Sequence, residues 1–124
     1  MLSNESFEVR YSLVECAGEG LFSLINIKSN ETIGEYKGFI LTDNELENSP
    51  FNASDYILCV CKDHNIIGEG PLANHTRYIN HHDEPNCEIV SSTRWKKARI
   101  RAIKSIKPGQ ELYIDYGEEY WEII

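Results

Sequence analysis

Short segments rich in β-branched and aromatic residues recur between turn-forming residues along the whole chain, a pattern that predicts a mainly β domain. Residues 7–14 begin it, Gly18-Glu19-Gly20 interrupts, and residues 21–27 follow as a second apolar segment, together a hairpin-like unit. Ser29-Asn30-Glu31 then turns the chain into residues 32–41, where Ile33, Tyr36, Phe39 and Ile40 are core candidates. Thr42 stands three residues before Glu45, the spacing of a capping box, so a short helix is predicted over 43–47 ahead of Pro50. Residues 55–61 are predicted as a buried strand and Ile66-Ile67 as another short one, with a short helix or turn over 74–80. Residues 97–102 alternate charged and apolar side chains, which places Ala98, Ile100 and Ala102 inward on a half-solvated strand. Residues 49–54 and 77–86 show no period and are expected to be loops.

With 124 residues the chain buries roughly 67% of its unfolded surface, enough for one core, so a single domain over 1–124 is expected. Basic residues number 12 against 20 acidic ones, a net charge of −8, which repels phosphate backbones and favours basic partners. Hydrophobic residues at 41% and charged residues at 26% are globular values and exclude a disordered chain. The first ten residues carry Glu5 and Glu8 and no apolar run, unlike a signal or transit peptide, and the longest apolar stretch, 57–61, is too short to span a bilayer. These features predict a soluble, intracellular protein with no membrane partner. Cys16, Cys59, Cys61 and Cys87 lack the spacing of a secreted disulfide framework and are expected as reduced thiols.

Titratable groups concentrate in Arg77-Tyr78-Ile79-Asn80-His81-His82-Asp83-Glu84-Pro85-Asn86-Cys87, a loop of the kind that carries function. Four blocks, Gly18-Glu19-Gly20-Leu21-Phe22, Glu35-Tyr36-Lys37-Gly38, the Asn80-His81 segment and Glu111-Leu112-Tyr113-Ile114-Asp115-Tyr116-Gly117, stand in the order and spacing found in SET domains. The chain resembles the SET domain of protein lysine methyltransferases over residues 18–117, and most closely the compact stand-alone SET proteins of large viruses. Room for pre-SET or post-SET zinc modules is not expected.

The resemblance implies a fold of small β-sheets around a C-terminal pseudoknot, with few short helices, and the transfer of methyl groups from S-adenosylmethionine to lysine. It carries over Tyr116 as the catalytic tyrosine and Tyr56 as a second catalytic tyrosine from the central strand. Ile114, Tyr113, Tyr120 and Trp121 correspond to the walls of the substrate channel. Glu19, Gly20 and Leu21, with Arg77, Asn80, His81 and Tyr116, correspond to the cofactor site. Where relatives carry a zinc-ligating cysteine after the Asn-His pair, this chain has His82-Asp83, and no cysteine cluster follows Tyr116, so no zinc is expected. Ile114 lacks the hydroxyl of the tyrosine that restricts relatives to monomethylation, which implies a di- or trimethyl product. The implied partner is a basic, lysine-containing peptide, a histone tail foremost, which would place the protein in a nucleus. A homodimer stays open.

Three other readings compete. A metal hydrolase would use His75, His81, His82, Asp83 and Glu84. A catalytically silent SET-like module would bind peptide without turnover. The basic stretch from Arg94 to Arg101, with Trp95 inside it, would suggest direct nucleic-acid binding, but net charge and strand alternation favour a solvated face.

Overall fold

The computed structural model describes residues 2–92 and 94–115. Strands β1 (Phe7–Tyr11) and β2 (Glu19–Ser23) pair as an antiparallel hairpin, with Val9 opposite Leu21 and Tyr11 opposite Glu19. Glu19 and Gly20, expected as part of a break, are already strand. The first strand ends early because the amide of Leu13 is drawn off to the carboxylate of Glu111 at 2.8 Å.

Residues 32–41, expected as one segment, divide between two sheets. β3 (Thr32–Glu35) lies at the edge of a five-stranded sheet, whereas β4 (Phe39–Leu41) pairs with β6 (His64–Ile67), which in turn pairs with β5 (Ile57–Cys61). Gly38 permits the crossing, because a Cβ there would run into the carbonyl of Ile67. β4 is an edge strand, and Phe39 and Ile40 are 40% and 61% exposed rather than in the core. Phe39 finds partial cover by stacking on Phe51 at 5.2 Å. β5 is the opposite edge, so its residues are half-buried, with Cys59 exposed, in place of the buried strand expected. An unbroken apolar run resembles a strand covered on both faces, and only the sheet order corrects that. Helix α1 (Asp43–Glu47) forms as predicted, with both hydrogen bonds of the Thr42–Glu45 capping box.

The larger sheet runs β3-β9-β8-β10-β7, built from β7 (Asn80–His81), β8 (Cys87–Ser92), β9 (Lys97–Ala102) and β10 (Tyr113–Ile114). In β9, Ala98, Ile100 and Ala102 are 0–1% exposed, the inward alternation expected. β10 lies between β7 and β8 and runs parallel to both. The loop 82–86 joins those two strands, so the chain ahead of β10 is threaded beneath it, which is the pseudoknot of the SET fold.

Asn86 fastens the crossing. Its side-chain amide donates to the carbonyl of Glu111 (2.9 Å) and accepts from the amide of Tyr113 (2.8 Å), as a neighbouring strand's backbone would. The amide of His82 bonds the carbonyl of Ile114 at 3.0 Å on the other side. Beneath this crossing Leu21, Ile27, Ile33, Ile100, Ile106 and Leu112 form the core, each at most 1% exposed. Cys87 is buried with them, and burial pushes its thiol up to about 12.

Candidate functional site

Threading delivers Glu111 to the inner side of the β1–β2 connection, where its carboxylate is 2% exposed and accepts four hydrogen bonds. The Ser12 hydroxyl (2.6 Å) and the Asn80 amide (3.3 Å) donate to Oε2, while the Leu13 amide (2.8 Å) and the Tyr113 hydroxyl (2.9 Å) donate to Oε1. A carboxylate has the acceptor capacity for all four. Asn80 also donates to the carbonyl of Glu19 at 2.9 Å, so one acid and one amide tie together the hairpin, strand β7 and the threaded segment. Gly20 makes this possible, since a Cβ there would collide with the Glu111 carboxylate. Sequence reasoning did not single Glu111 out. Its signal was an acid directly before the buried Leu112.

A polar cleft of about 430 Å³ opens beside this junction, walled by Cys16 to Glu19 on one side, Asp55 and Tyr56 on another, and Arg77, Tyr78 and Asn80 behind. Arg77 is its fixed point. The guanidinium donates to the Gly68 carbonyl (2.9 Å) and the Tyr78 hydroxyl (2.7 Å), pairs with Glu69 at 3.5 Å, and lies 4.9 and 4.8 Å from the ring centroids of Tyr56 and Tyr78. The Tyr56 backbone is held in turn by the Tyr36 hydroxyl (2.7 Å) and the Gly68 amide (2.8 Å) at its carbonyl. Burial raises the pKa of the Tyr56 phenol against the opposing pull of Arg77, so the group is a neutral donor at physiological pH.

A second, apolar space of about 70 Å³ lies under Tyr36, Ile57, Leu58 and Ile114. It shares Asp55 and Arg77 with the polar cleft, and the two compartments meet at that pair.

The residues singled out from sequence therefore separate. Glu19, Tyr56, Arg77 and Asn80 line the polar cleft, and Ile114, 5% exposed, lines the apolar space. Gly20 backs the cleft through its contact with Asn80 and Glu111. Leu21 is in the core, its carbonyl taken by the amide of Leu112 at 2.8 Å. His81 stands between Asp83 (3.5 Å) and Asp115 (3.7 Å), outside the cleft lining. Tyr113, the neighbour of Ile114 on β10, points the other way: its hydroxyl is committed to Glu111, and burial and that bond push it up to about 12. Tyr116, Tyr120 and Trp121 lie outside the described residues.

The competing constellation of histidines and acids does not converge. His75 is buried, stacked on Phe7 at 4.7 Å with Nε2 on the carbonyl of Ile33, whereas His82 lies beside the ring of Tyr113. Among the described residues no three His, Cys, Asp or Glu side chains are grouped to hold a metal, and no helix is long and apolar enough to cross a membrane.

The family model for the SET domain matches residues 18–117. Similar known proteins include the mouse histone-lysine N-methyltransferase NSD3, 36% identical over 113 residues that cover 83% of this chain and 8% of that protein. The human histone-lysine N-methyltransferase specific for H3 lysine-36 is 32% identical over 113 residues, 82% of this chain and 4% of its own. The histone-lysine N-methyltransferase EZH2 of Chaetomium thermophilum is 27% identical over 121 residues, with coverage of 88% and 8%. The chain spans less than a tenth of the length of these relatives.

Proposed function

The chain belongs to the SET-domain family, and from that membership we propose that it is a protein-lysine N-methyltransferase that uses S-adenosylmethionine. The observation that carries the proposal is the meeting of a polar cleft and an apolar space at Asp55 and Arg77. Transfer of a methyl group to an amine needs a polar site for the donor, a dry channel for the lysine, and a common boundary where the two reactants align.

The donor set in the cleft fits the cofactor. Arg77 suits its carboxylate, Glu19 and Asp55 suit its cationic centres, and the Asn80 amide and the backbone around Gly20 offer close polar contacts. S-adenosylmethionine supplies a methyl group activated on a sulfonium sulfur. The chain's own part is to bind, orient and dry. Ile114, with Ile57, Leu58 and Tyr36, encloses an apolar space that disfavours an ammonium and so lowers the pKa of an entering lysine. The resemblance assigns Tyr116 the catalytic hydroxyl and Tyr120 and Trp121 the closure of the channel, and Tyr56 adds a second neutral phenol. Tyr113 and His81 act from outside, Tyr113 by holding Glu111 in place.

The substrate class is a basic peptide, with a histone tail foremost and a nuclear site of action accordingly. A net charge of −8 favours such a partner, and β5 stands at the edge of its sheet, the place where an extended chain adds as a strand. With no hydroxyl at position 114, the channel end accepts an already methylated amine, so di- or trimethyl-lysine is the product.

Calorimetric titration with S-adenosylmethionine tests the cofactor claim. Binding is expected for the unaltered protein, and Asn80→Ala should weaken it, because the cleft loses the amide that joins Glu19 to Glu111. Absence of binding to the unaltered protein, with a basic peptide still bound, would instead establish a silent peptide-binding module.

A further inference from the structure

Residues 94–101 hold Arg94, Lys96, Lys97, Arg99 and Arg101, five of the chain's 12 basic residues, and no acid. The remaining seven basic residues stand against all 20 acids, so charge is sharply segregated along the sequence. Structurally these five occupy one hairpin. The inward packing of Ala98, Ile100 and Ala102 sends Lys97, Arg99 and Arg101 to the outer face of β9, and Arg94 to Lys96 form its tip. Arg101 is paired with Glu88 across the ladder. Arg94, Lys96, Lys97 and Arg99 make no ion pair among the described residues, although Glu35 stands opposite Arg99 in register. Trp95 is 67% exposed, with the guanidinium of Arg94 over its ring at 5.0 Å.

A solvated strand face, the expectation from sequence, accounts for the cations but leaves the exposed indole unexplained. The partner that fits is constrained by the geometry. β9 is paired on both sides over Arg99 to Arg101, and none of the five basic side chains lines either cavity. What remains is a ribbon of cations, spaced about 6.7 Å at every second residue of the strand, beside an aromatic surface. That combination suits phosphates in series and an unpaired base stacked on the ring. We propose that the β8–β9 hairpin binds single-stranded nucleic acid, with phosphates on Lys96, Lys97 and Arg99 and a base on Trp95. The surface is separate from the polar cleft, and the proposal does not depend on methyl transfer.

Fluorescence anisotropy with a labelled oligothymidylate, titrated with the full chain across a salt series, tests it. Three phosphate contacts, on Lys96, Lys97 and Arg99, predict a slope of log affinity on log salt of about −2.1, at roughly 0.7 per contact on a single strand. Lys97→Gln with Arg99→Gln should cut that slope to about a third, roughly −0.7. Trp95→Ala should weaken single-strand binding about tenfold or more and leave binding to a duplex of the same length unchanged. Glu35→Gln should tighten binding by removing the acid beside Arg99. All these positions are on the surface, and an unaltered circular dichroism spectrum will confirm folding. Absence of binding at low salt, a slope indifferent to the two glutamines, or displacement of the oligonucleotide by polyglutamate as readily as by unlabelled oligonucleotide would overturn the proposal. So would duplex binding as tight as that of the single strand with Trp95→Ala silent in both.

Discussion

Replacing Glu111 by glutamine changes one oxygen to an amide nitrogen at a site where four donors converge. The amide oxygen must stay on the side of Leu13, because a backbone N–H can only donate. The new NH2 then faces Ser12 and Asn80. The serine hydroxyl can turn to accept, but the Asn80 amide meets a second donor, and flipping it would give up its 2.9 Å bond to the Glu19 carbonyl. The net change is one charge-assisted hydrogen bond lost and one buried donor left without a partner, about 2–3 kcal/mol. Urea unfolding should register that loss, and calorimetry should show S-adenosylmethionine affinity reduced about tenfold or more, because the two walls that Glu111 joins are both walls of the cleft. A double-mutant cycle with Asn80→Ala should return a coupling energy of about 1 kcal/mol or more. Reduced stability with unchanged cofactor affinity would refute the reasoning, by making Glu111 a core group with no hold on the cleft.

Tyr116→Phe should leave cofactor binding intact while lowering turnover about tenfold or more, since it removes a hydroxyl that acts in the transition state and leaves no cavity; single-turnover kinetics checks this, and a collapse of affinity with turnover unchanged would withdraw the assignment. Ile114→Tyr should shift the product towards monomethyl-lysine, read by time-resolved mass spectrometry on a single-lysine peptide, because neither Ile114 nor the Glu111-bound Tyr113 offers a free hydroxyl there now. The pKa of His75 is held below 6.5 chiefly by burial, against the hydrogen bond to the Ile33 carbonyl. The unfolded chain therefore takes up the proton first, and the stability this neutral ring contributes is present above about pH 6.5 and lost as pH falls below it, by at most about 1.4 kcal/mol per pH unit. Urea midpoints of His75→Phe should fall less steeply than those of the unaltered protein between pH 7 and 5, and parallel curves would contradict the assignment.

Local signals were legible where the structure is locally determined. The Thr42–Glu45 capping box and the inward face of β9 need only neighbouring residues, and both formed as expected. β8 was missed because Glu88, Val90 and Ser92 face outward as a mixed set, and its pairing with β9 is what makes it a strand. β7 and β10 have two residues each, too short for any period to register. Phe39 and Ile40 were misplaced because hydrophobicity does not tell an edge strand from a central one. At the site, Glu19, Tyr56, Arg77 and Asn80 were reached through motif resemblance. Glu111 and Asn86 owe their importance to the crossing of the chain beneath loop 82–86, which no local rule encodes.

The central claim is tested most directly by incubating the protein with isotopically labelled S-adenosylmethionine and core histones, then identifying labelled residues by mass spectrometry. The account predicts label on lysine side chains, advancing to di- or trimethyl-lysine under enzyme excess and abolished or strongly reduced by Tyr116→Phe. No label on any lysine, from protein that binds the cofactor and is folded by circular dichroism, would contradict it for these substrates. Label that stops at monomethyl-lysine would contradict the role given to Ile114.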